Sequence, residues 1–575
     1  MNPRNADTAS GTHAGRSARV GRVNWSRSRR LGAVVVTALT ALCASLIPGA
    51  TAASAATYVP ISGAGSTWSY NAINAWITNV AQYGMHINYA AVGSTSGRQD
   101  FAQGTSDWGA SEIPYGVRDG NNFDPPPRRG YAYMPDTAGG TTFMYNLKIG
   151  ARRVTNLRLS GRAVAGIFTG VITNWNNPVI KADNPGLTMP NLKIVPVVRS
   201  DGSGATAEFT QWMIATQGSY WTNYCAKVHR SPCTQTSAFP VLPGSAMIGQ
   251  SGDLGVSGYV SQAQADGAIG YVEFSYALET GFPVAKVLNA DGYYTEPTAG
   301  HVAVSLLKAR INSNKSDPLY LTQDLSQVYT DPDPRTYELS SYSYMILPTD
   351  TTSGMSTAKG HTLGDFGSYL LCQGQTQVDA LGYSALPINL VEAGYAQLQK
   401  IPGNTVPTST TAQIQGCHNP TFSTNGTNTL AVNDPRPAAC DHQGPTQCTT
   451  ATGGAKTSTP VNPSAQGSQA SSSAGASSSA SAGAASNGSA PGGCDPNTGV
   501  CSGTGSGGSQ GGAQQVAGVP TASASSLGDG LRVTLMGLAA ALLLGLALLP
   551  PVIAQTSRRR RQRLAAQYGS KGPQQ

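Results

Sequence analysis

Charge is scarce in this sequence: Asp, Glu, Lys and Arg together make up 11 % of its 575 residues. The formal charge of +8 suggests a basic protein until its location is read. Residues 1–56 and 529–575 each hold seven Lys or Arg against one acid, which leaves residues 57–528 with 23 basic and 27 acidic side chains. A body of mildly negative charge has no basic patch of the kind nucleic acid requires, so nucleic acid is excluded as its partner. CxxC pairs and regularly spaced histidines are absent as well. That argues against zinc, although His418 follows Cys417 and His442 lies near Cys440. No stretch reads GxxxxGK[ST] or GxSxG, and "GAGSTW" at 63–68 puts Trp68 where a dinucleotide loop needs its third glycine.

Long apolar runs are rare too, but there are two. Arg27, Arg29 and Arg30 precede "LGAVVVTALTALCASLI", and "ASAA" follows at 53–56. This is the layout of a secretory signal over residues 1–55, with Sec and twin-arginine export both open. "TAL" before Cys43 does not fit a lipidation signal. Val533 to Ala554 is 22 residues without a charge, followed by Arg558 to Arg561. Such a run is long enough to cross a bilayer core, and the arginines mark residues 555–575 as cytoplasmic. Residues 451–528 are dominated by Ser, Gly and Ala and cannot offset their conformational entropy by burial, so they are expected to form a disordered linker. As a flexible coil its ends would average roughly 50 Å apart. The expected product is a single-pass cell-membrane protein with its folded body outside.

Eight cysteines remain once the signal leaves, an even number that favours disulfides in an exported chain. Their spacing suggests Cys225 with Cys233, Cys440 with Cys448 and Cys494 with Cys501. Cys372 with Cys417 would then staple residues 401–450 to the body as a C-terminal extension.

The body over 56–400 reads as alternating strands and helices. "HINYAAV" (86–92), "IVPVV" (194–198) and "AIGYVEF" (268–274) are predicted strands. Ile73, Trp76, Ile77 and Val80 share one face of a predicted helix over 69–82, as do Ala205, Phe209, Trp212 and Met213 over 205–213. Both stripes are assigned to core. The body is large for one core, so two α/β lobes are expected.

Three times a predicted strand runs into a Gly/Ser loop that opens a helix: "SGAGSTW" (62–68), "GSTSG" (93–97) and "SDGSGAT" (200–206). Helix N-termini present unpaired N–H groups and partial positive charge, and glycine lets a ligand approach the backbone. One such loop is weak evidence; three suggest an anion site. "SDWGASEIP" (106–114) adds a carboxylate, Asp107, which read alone is as readily a turn or capping residue.

In their order and spacing, "GAGSTW", "VGSTSG", "SDWGASEIP", "VVRSDGSGAT" and "GAIGYVEFSYA" resemble the substrate-binding proteins of high-affinity phosphate ABC importers. "MILPTD" (345–350) and "LGYSALP" (381–387) resemble that family's closing segments. The resemblance implies a two-lobed type II periplasmic-binding-protein fold with two crossovers, inorganic phosphate in the cleft, ABC permease subunits as partners, no cofactor and a monomeric receptor. Carried over residue by residue, it implies phosphate donors at Thr67, Trp68, Ser94, Arg199, Ser203, Gly204 and Ala205. Asp201 would orient Arg199, and Asp107 would accept the phosphate's own proton. Ala205 departs from the pattern, which has a threonine there, and neighbouring Thr206 is the residue placed to compensate. Two other readings remain: a surface-displayed phosphate-binding module uncoupled from transport, and an enzyme with Ser203 as nucleophile. The enzyme reading lacks a candidate base near Ser203.

Overall fold

The computed structural model describes residues 58–462 except Asn121 and Thr424. The expected signal peptide, transmembrane span, cytoplasmic tail, Cys494–Cys501 pair and most of the expected linker lie outside the described residues. Among the described residues no helix is long and apolar enough to cross a membrane.

The predicted strands and helices form close to where periodicity puts them. The first half contains β1 (Ile61–Gly65), α1 (Tyr70–Val80), β2 (Ile87–Ala90), α2 (Ser94–Gln103) and β3 (Trp108–Ser111). A 16-residue strand, β4 (Tyr131–Asn146), then leads to the second half. That half holds β5 (Val195–Arg199), α3 (Gly204–Thr216), β6 (Ile248–Gln250), α4 (Gly252–Val260), β7 (Ala268–Glu273) and α5 (Phe274–Thr280). Strand β8 (Ser340–Pro348) returns to the first half and is followed by α6 (Thr357–Leu371). The stripes assigned to core are core: Ile73, Trp76 and Val80 are buried on α1, and Phe209, Trp212 and Met213 on α3.

These strands run through one sheet in the order β6-β5-β7-β4-β8-β3-β1-β2. The pairs β1–β2, β1–β3, β5–β6 and β5–β7 are parallel, whereas β4 and β8 run antiparallel to their neighbours. Tyr131 to Gly140 of β4 pair with β8, and Thr141 to Asn146 pair with β7. Strand β4 therefore belongs to both halves, and the expected two-lobed α/β architecture is present with its hinge near Gly140. Close packing explains the glycines there. A Cβ at Gly139 would stand 2.8 Å from the Trp68 ring, and one at Gly140 would stand 2.2 Å from Pro297.

Three of the expected disulfides form: Cys225–Cys233, Cys372–Cys417 and Cys440–Cys448. The extension after residue 400 begins on the first lobe, where Asn419 and Thr421 donate to the Leu386 carbonyl at 2.9 and 2.8 Å. It ends on the second. There Arg335 donates to the carbonyls of Ala431 and Asp434, Arg158 to those of Cys440 and Thr446, and Lys286 pairs with Asp441 at 2.7 Å. The extension is thus a third connection between the lobes, beside β4 and β8.

The start expected for the linker, residue 451, is too early. Thr452 and Thr459 are buried, and the Thr452 N–H donates to the Thr155 carbonyl at 2.9 Å while Thr155 N–H donates to the Thr459 hydroxyl at 2.8 Å. Backbone and hydroxyl bonds of this kind do not depend on large apolar side chains, so composition alone misplaced the boundary.

The Cys372–Cys417 bond closes a loop with a sequence separation of 45. Replacing both cysteines with serine is expected to lower the unfolding free energy by about 4 kcal/mol through loop-closure entropy. Urea denaturation of the two proteins measures this; a difference below about 1 kcal/mol would mean that the staple does not constrain the unfolded chain.

Candidate functional site

Parallel strands end together, and helices begin where they end. Strand β1 ends at Gly65 and leads through Ser66 and Thr67 to α1. Strand β3 ends at Ser111 and presents Glu112. Strand β5 ends at Arg199 and leads through Asp201 and Ser203 to α3, and β6 leads through Ser251 into α4. Helix N-termini with their unpaired N–H groups therefore converge on one crevice beyond the carboxyl ends of the strands.

Arg199 is the centre of this crevice. Its Nε donates to Asp201 Oδ1 at 2.7 Å, its Nη2 donates to Asp201 Oδ2, and its Nη1 donates to Asp253 Oδ2 at 2.5 Å. Asp253, in the first turn of α4, also accepts from the Thr67 hydroxyl at 2.5 Å and from the Glu273 N–H at 2.9 Å. The Gly252 N–H steadies Asp201 at 2.9 Å. Burial by itself would lower the arginine's pKa, but the charge of Asp253 and the bonds to Asp201 outweigh it and raise it. Burial would raise the Asp201 carboxyl, yet its bonds to Arg199 hold it below the usual carboxylate range.

A second cluster faces it from the first lobe. Glu112 accepts from Ser66, from the Ser94 hydroxyl at 2.7 Å and from the Ser343 hydroxyl at 3.3 Å. Burial pushes its carboxyl up; the hydroxyls of Ser66 and Ser94 oppose that shift, and Asp253 across the crevice adds to it. The lobes meet here. Gly204 N–H, opening α3, donates to Ser94 Oγ at 3.1 Å, and a Cβ on Gly204 would stand 2.2 Å from Glu112 Oε2. Thr67, Ser94, Glu112 and Arg199 are 6, 2, 1 and 1 % exposed, so the crevice is shut. A cavity of about 260 Å³ lies outside it, lined by Glu112, Glu208, Gln211 and Gln323.

Of the residues singled out in the sequence, Thr67, Trp68, Ser94, Arg199, Asp201, Ser203, Gly204 and Ala205 all lie on the loops that meet here. Asp201 orients Arg199 as expected. Trp68 contributes its backbone differently from expectation, because its N–H donates to Ser66 Oγ at 3.0 Å and its indole N–H to Thr141 across the hinge at 3.1 Å. Ser203 caps α3, its hydroxyl accepting from Thr206 N–H at 3.2 Å. Ala205 is buried in the first turn. Thr206 does not compensate for it, since its hydroxyl pairs with the Tyr271 hydroxyl at 2.8 Å.

Asp107 is not part of this site. It precedes the four-residue β3, whereas Glu112 follows it, and the five residue steps between them span about 16 Å. Asp107 accepts from the Ser62 N–H at 2.8 Å and pairs with Lys359 on α6 at 2.7 Å. The resemblance had fixed on the wrong carboxylate of "SDWGASE". The pattern of a strand ending in a small-residue turn points to Glu112, at the same end of the sheet as the three loops. Asp253 was also missed, although "IGQSGDLG" (248–255) repeats the strand, Gly/Ser loop, helix pattern a fourth time.

Comparison with known proteins identifies the family. The family model for the PBP superfamily domain matches residues 50–373. The phosphate-binding protein PstS of Xylella fastidiosa is 30 % identical over 335 residues, covering 58 % of this chain and 83 % of the relative. That of Pasteurella multocida is 28 % identical over 339 residues, covering 59 % and 89 %. A solved periplasmic phosphate-binding protein with phosphate bound, PfluDING, aligns at 17 % identity and a TM-score of 0.45, covering 61 % of this chain and all of that one. The relatives are binding proteins and not enzymes. On the superfamily match over residues 50–373 and the Xylella fastidiosa relative, 30 % identical with 83 % of it covered, the chain belongs to the PstS family of phosphate-binding proteins.

Proposed function

We propose that the protein is an extracellular, membrane-tethered receptor that holds inorganic phosphate in the interlobe crevice and delivers it to an ABC permease. The observation that carries this reading is the opposition of Glu112 and Arg199 across a closed crevice, between helix N-termini. Arg199 supplies one fixed cation whose charge its two carboxylate partners already offset. The remaining donors are neutral: the N–H groups of Thr67 and Ala205 and the Ser203 hydroxyl, joined by the N–H groups of Trp68 and Gly204 and the hydroxyls of Thr67 and Ser94 once these turn from Ser66, Ser94, Asp253 and Glu112 to the anion. Neutral donors bind a charged oxyanion directionally without the excess positive charge that would hold any anion.

Glu112, in place of Asp107, takes the discriminating role. Hydrogen phosphate keeps a proton at neutral pH and can donate it to a carboxylate. Sulfate has none and would set its lone pairs against those of Glu112, leaving both unpaired and buried. The signal peptide expected over 1–55, the Ser/Gly/Ala-rich linker expected within 451–528, the span expected at 533–554 and the cytoplasmic tail expected at 555–575 would give this receptor its tether. It acts as a monomer that closes on its ligand.

Three substitutions test this. Glu112→Gln turns the acceptor into a partial donor and is expected to weaken phosphate binding by about 1–3 kcal/mol, roughly five- to 150-fold, while narrowing the preference over sulfate. Asp107→Asn should leave both within about twofold. Titration calorimetry of the full chain with each anion decides: a selective protein after Glu112→Gln, or loss of selectivity after Asp107→Asn, reverses the assignment. Gly204→Ala forces a Cβ against Glu112 and is expected to cost about tenfold in affinity. Small-angle scattering should then show a larger radius of gyration at saturating phosphate than wild type; equal affinity and equal radius would mean that closure does not bring Gly204 against Glu112.

A further inference from the structure

A hairpin arm joins the two lobes outside the crevice. Beyond Glu112 the chain leaves the end of β3 and forms two short strands, in which Arg118 and Asp119 pair with Phe123 and Asn122. The base of the arm is closed by the Gly116 N–H, which donates to the Asp124 carbonyl at 2.7 Å. It is fixed to the first lobe by the buried Arg98 of α2, which donates to Asp124 Oδ2 at 2.6 Å. Its tip reaches the second lobe. Asp119 Oδ1 accepts from Arg230 Nη2 at 2.5 Å, and the Gly120 N–H donates to the Thr234 hydroxyl at 2.9 Å. Asp119 Oδ2 accepts from the Ser237 N–H at 3.0 Å and from the Ser237 hydroxyl at 3.1 Å.

Ser237 is where the arm meets the site. Its carbonyl accepts from the N–H of Ser203, the cap of α3, at 2.8 Å. Its hydroxyl accepts from the hydroxyl of Thr95, in the first turn of α2, at 3.2 Å. The Thr95 N–H also donates to the Gly202 carbonyl at 3.0 Å, and a Cβ on Gly202 would stand 2.5 Å from Thr95. Two helix starts on opposite lobes are thus joined through one serine. Asp119 takes the one proton of the Ser237 hydroxyl, which leaves that oxygen free to accept from Thr95.

We propose that Asp119 is a positioning residue that clasps the lobes: through Ser237 it holds the starts of α2 and α3 together over the anion, and so sets how slowly phosphate leaves. This rests on the phosphate reading given above. The bonds of the arm to the second lobe exist only while the lobes are together. They therefore oppose opening and have no part in the first encounter with the anion. Packing does little to replace them, because a cavity of about 420 Å³ lies under the arm, lined by Arg98, Gln99, Phe123, Gln235 and Ser237. Asp119 and Arg230 are themselves mostly buried, which favours a charge-assisted bond. Burial would raise the Asp119 carboxyl, yet its hydrogen bonds and the charge of Arg230 hold it below the usual carboxylate range, so it is an ionised acceptor at neutral pH. Arg230 is set in place by the loop that Cys225–Cys233 closes, where its N–H donates to the Cys225 carbonyl at 2.8 Å.

The test is the release of labelled phosphate from the full chain into excess unlabelled phosphate, with the calorimetric affinity then giving the association rate. Asp119→Ala is expected to speed release about tenfold and to leave association within about twofold. The unfolding midpoint of the phosphate-free chain should stay within about 2 °C, which separates a clasp from an arm that merely supports the fold. Arg230→Ala should speed release less, and the double variant no more than Asp119→Ala alone, since both side chains act through one contact. An unchanged release rate in Asp119→Ala overturns the inference, as does a loss of affinity carried by association or additivity in the double variant. Wild type that binds no phosphate removes the receptor reading. The clasp is then decided by hydrogen exchange of the phosphate-free chain: Asp119→Ala is expected to speed exchange over residues 229–238, and unchanged exchange there overturns it.

Discussion

A buried arginine held by two carboxylates is the constraint on which the site depends. Arg199 is almost without solvent, and a guanidinium in that position is tolerated only if its donors are filled. Asp201 fills them from the loop before α3 and Asp253 from the first turn of α4. Asp253 then passes the constraint on, because the same oxygen that accepts from Arg199 accepts from Thr67 on the opposite lobe. Removing both acids would leave the buried Arg199 charge unpaired, which costs about 3–5 kcal/mol. The arginine, the first turn of α4 and the β1 loop are therefore fixed as one unit, and lobe closure is built into the same bonds.

That unit also fixes the character of the crevice. With two acids offsetting one cation, net positive charge cannot provide the attraction for an anion. The attraction has to come from N–H groups at helix starts and from hydroxyls, and the backbone must come close enough to offer them. Hence the glycines. Gly204 comes so near Glu112 that a methyl group does not fit, and a Cβ at Gly93 would stand 2.5 Å from Asp201. Both positions join an element of one lobe to a side chain of the other, so small residues here are a condition of closure as well as of turn geometry.

Most of this was legible in the sequence, and the parts that were not have physical reasons. Periodicity marked α1, α3, β5 and β7, because each buries one continuous face or run. The Gly/Ser loops marked three of the four converging helix starts. "SDWGASE" misled because two carboxylates flank a four-residue strand, and only the pleat and direction of that strand decide which one reaches the crevice. Asp253 sits in the first turn of a helix whose preceding strand has three residues, too short to stand out as a periodic run. The slip in pairing between β4 and β8 at Ser343 and Tyr344 is a property of strands about two hundred residues apart, which no local pattern encodes. The extension beyond residue 400 was readable as far as its cysteines. Its course across both lobes depends on single hydrogen bonds to Leu386, Arg335 and Arg158, which leave no trace in composition.

The central claim is that Glu112 and Arg199 face one another across a crevice built to hold a protonated tetrahedral oxyanion. A crystal structure of the protein grown with phosphate at neutral pH tests it most directly. The account predicts phosphate enclosed between the lobes, with one oxygen within hydrogen-bond distance of a Glu112 carboxylate oxygen and others on the N–H groups that open α1 and α3. Phosphate bound instead beside Asp107 and Lys359, or a crevice in which Glu112 turns away from the anion, would contradict it.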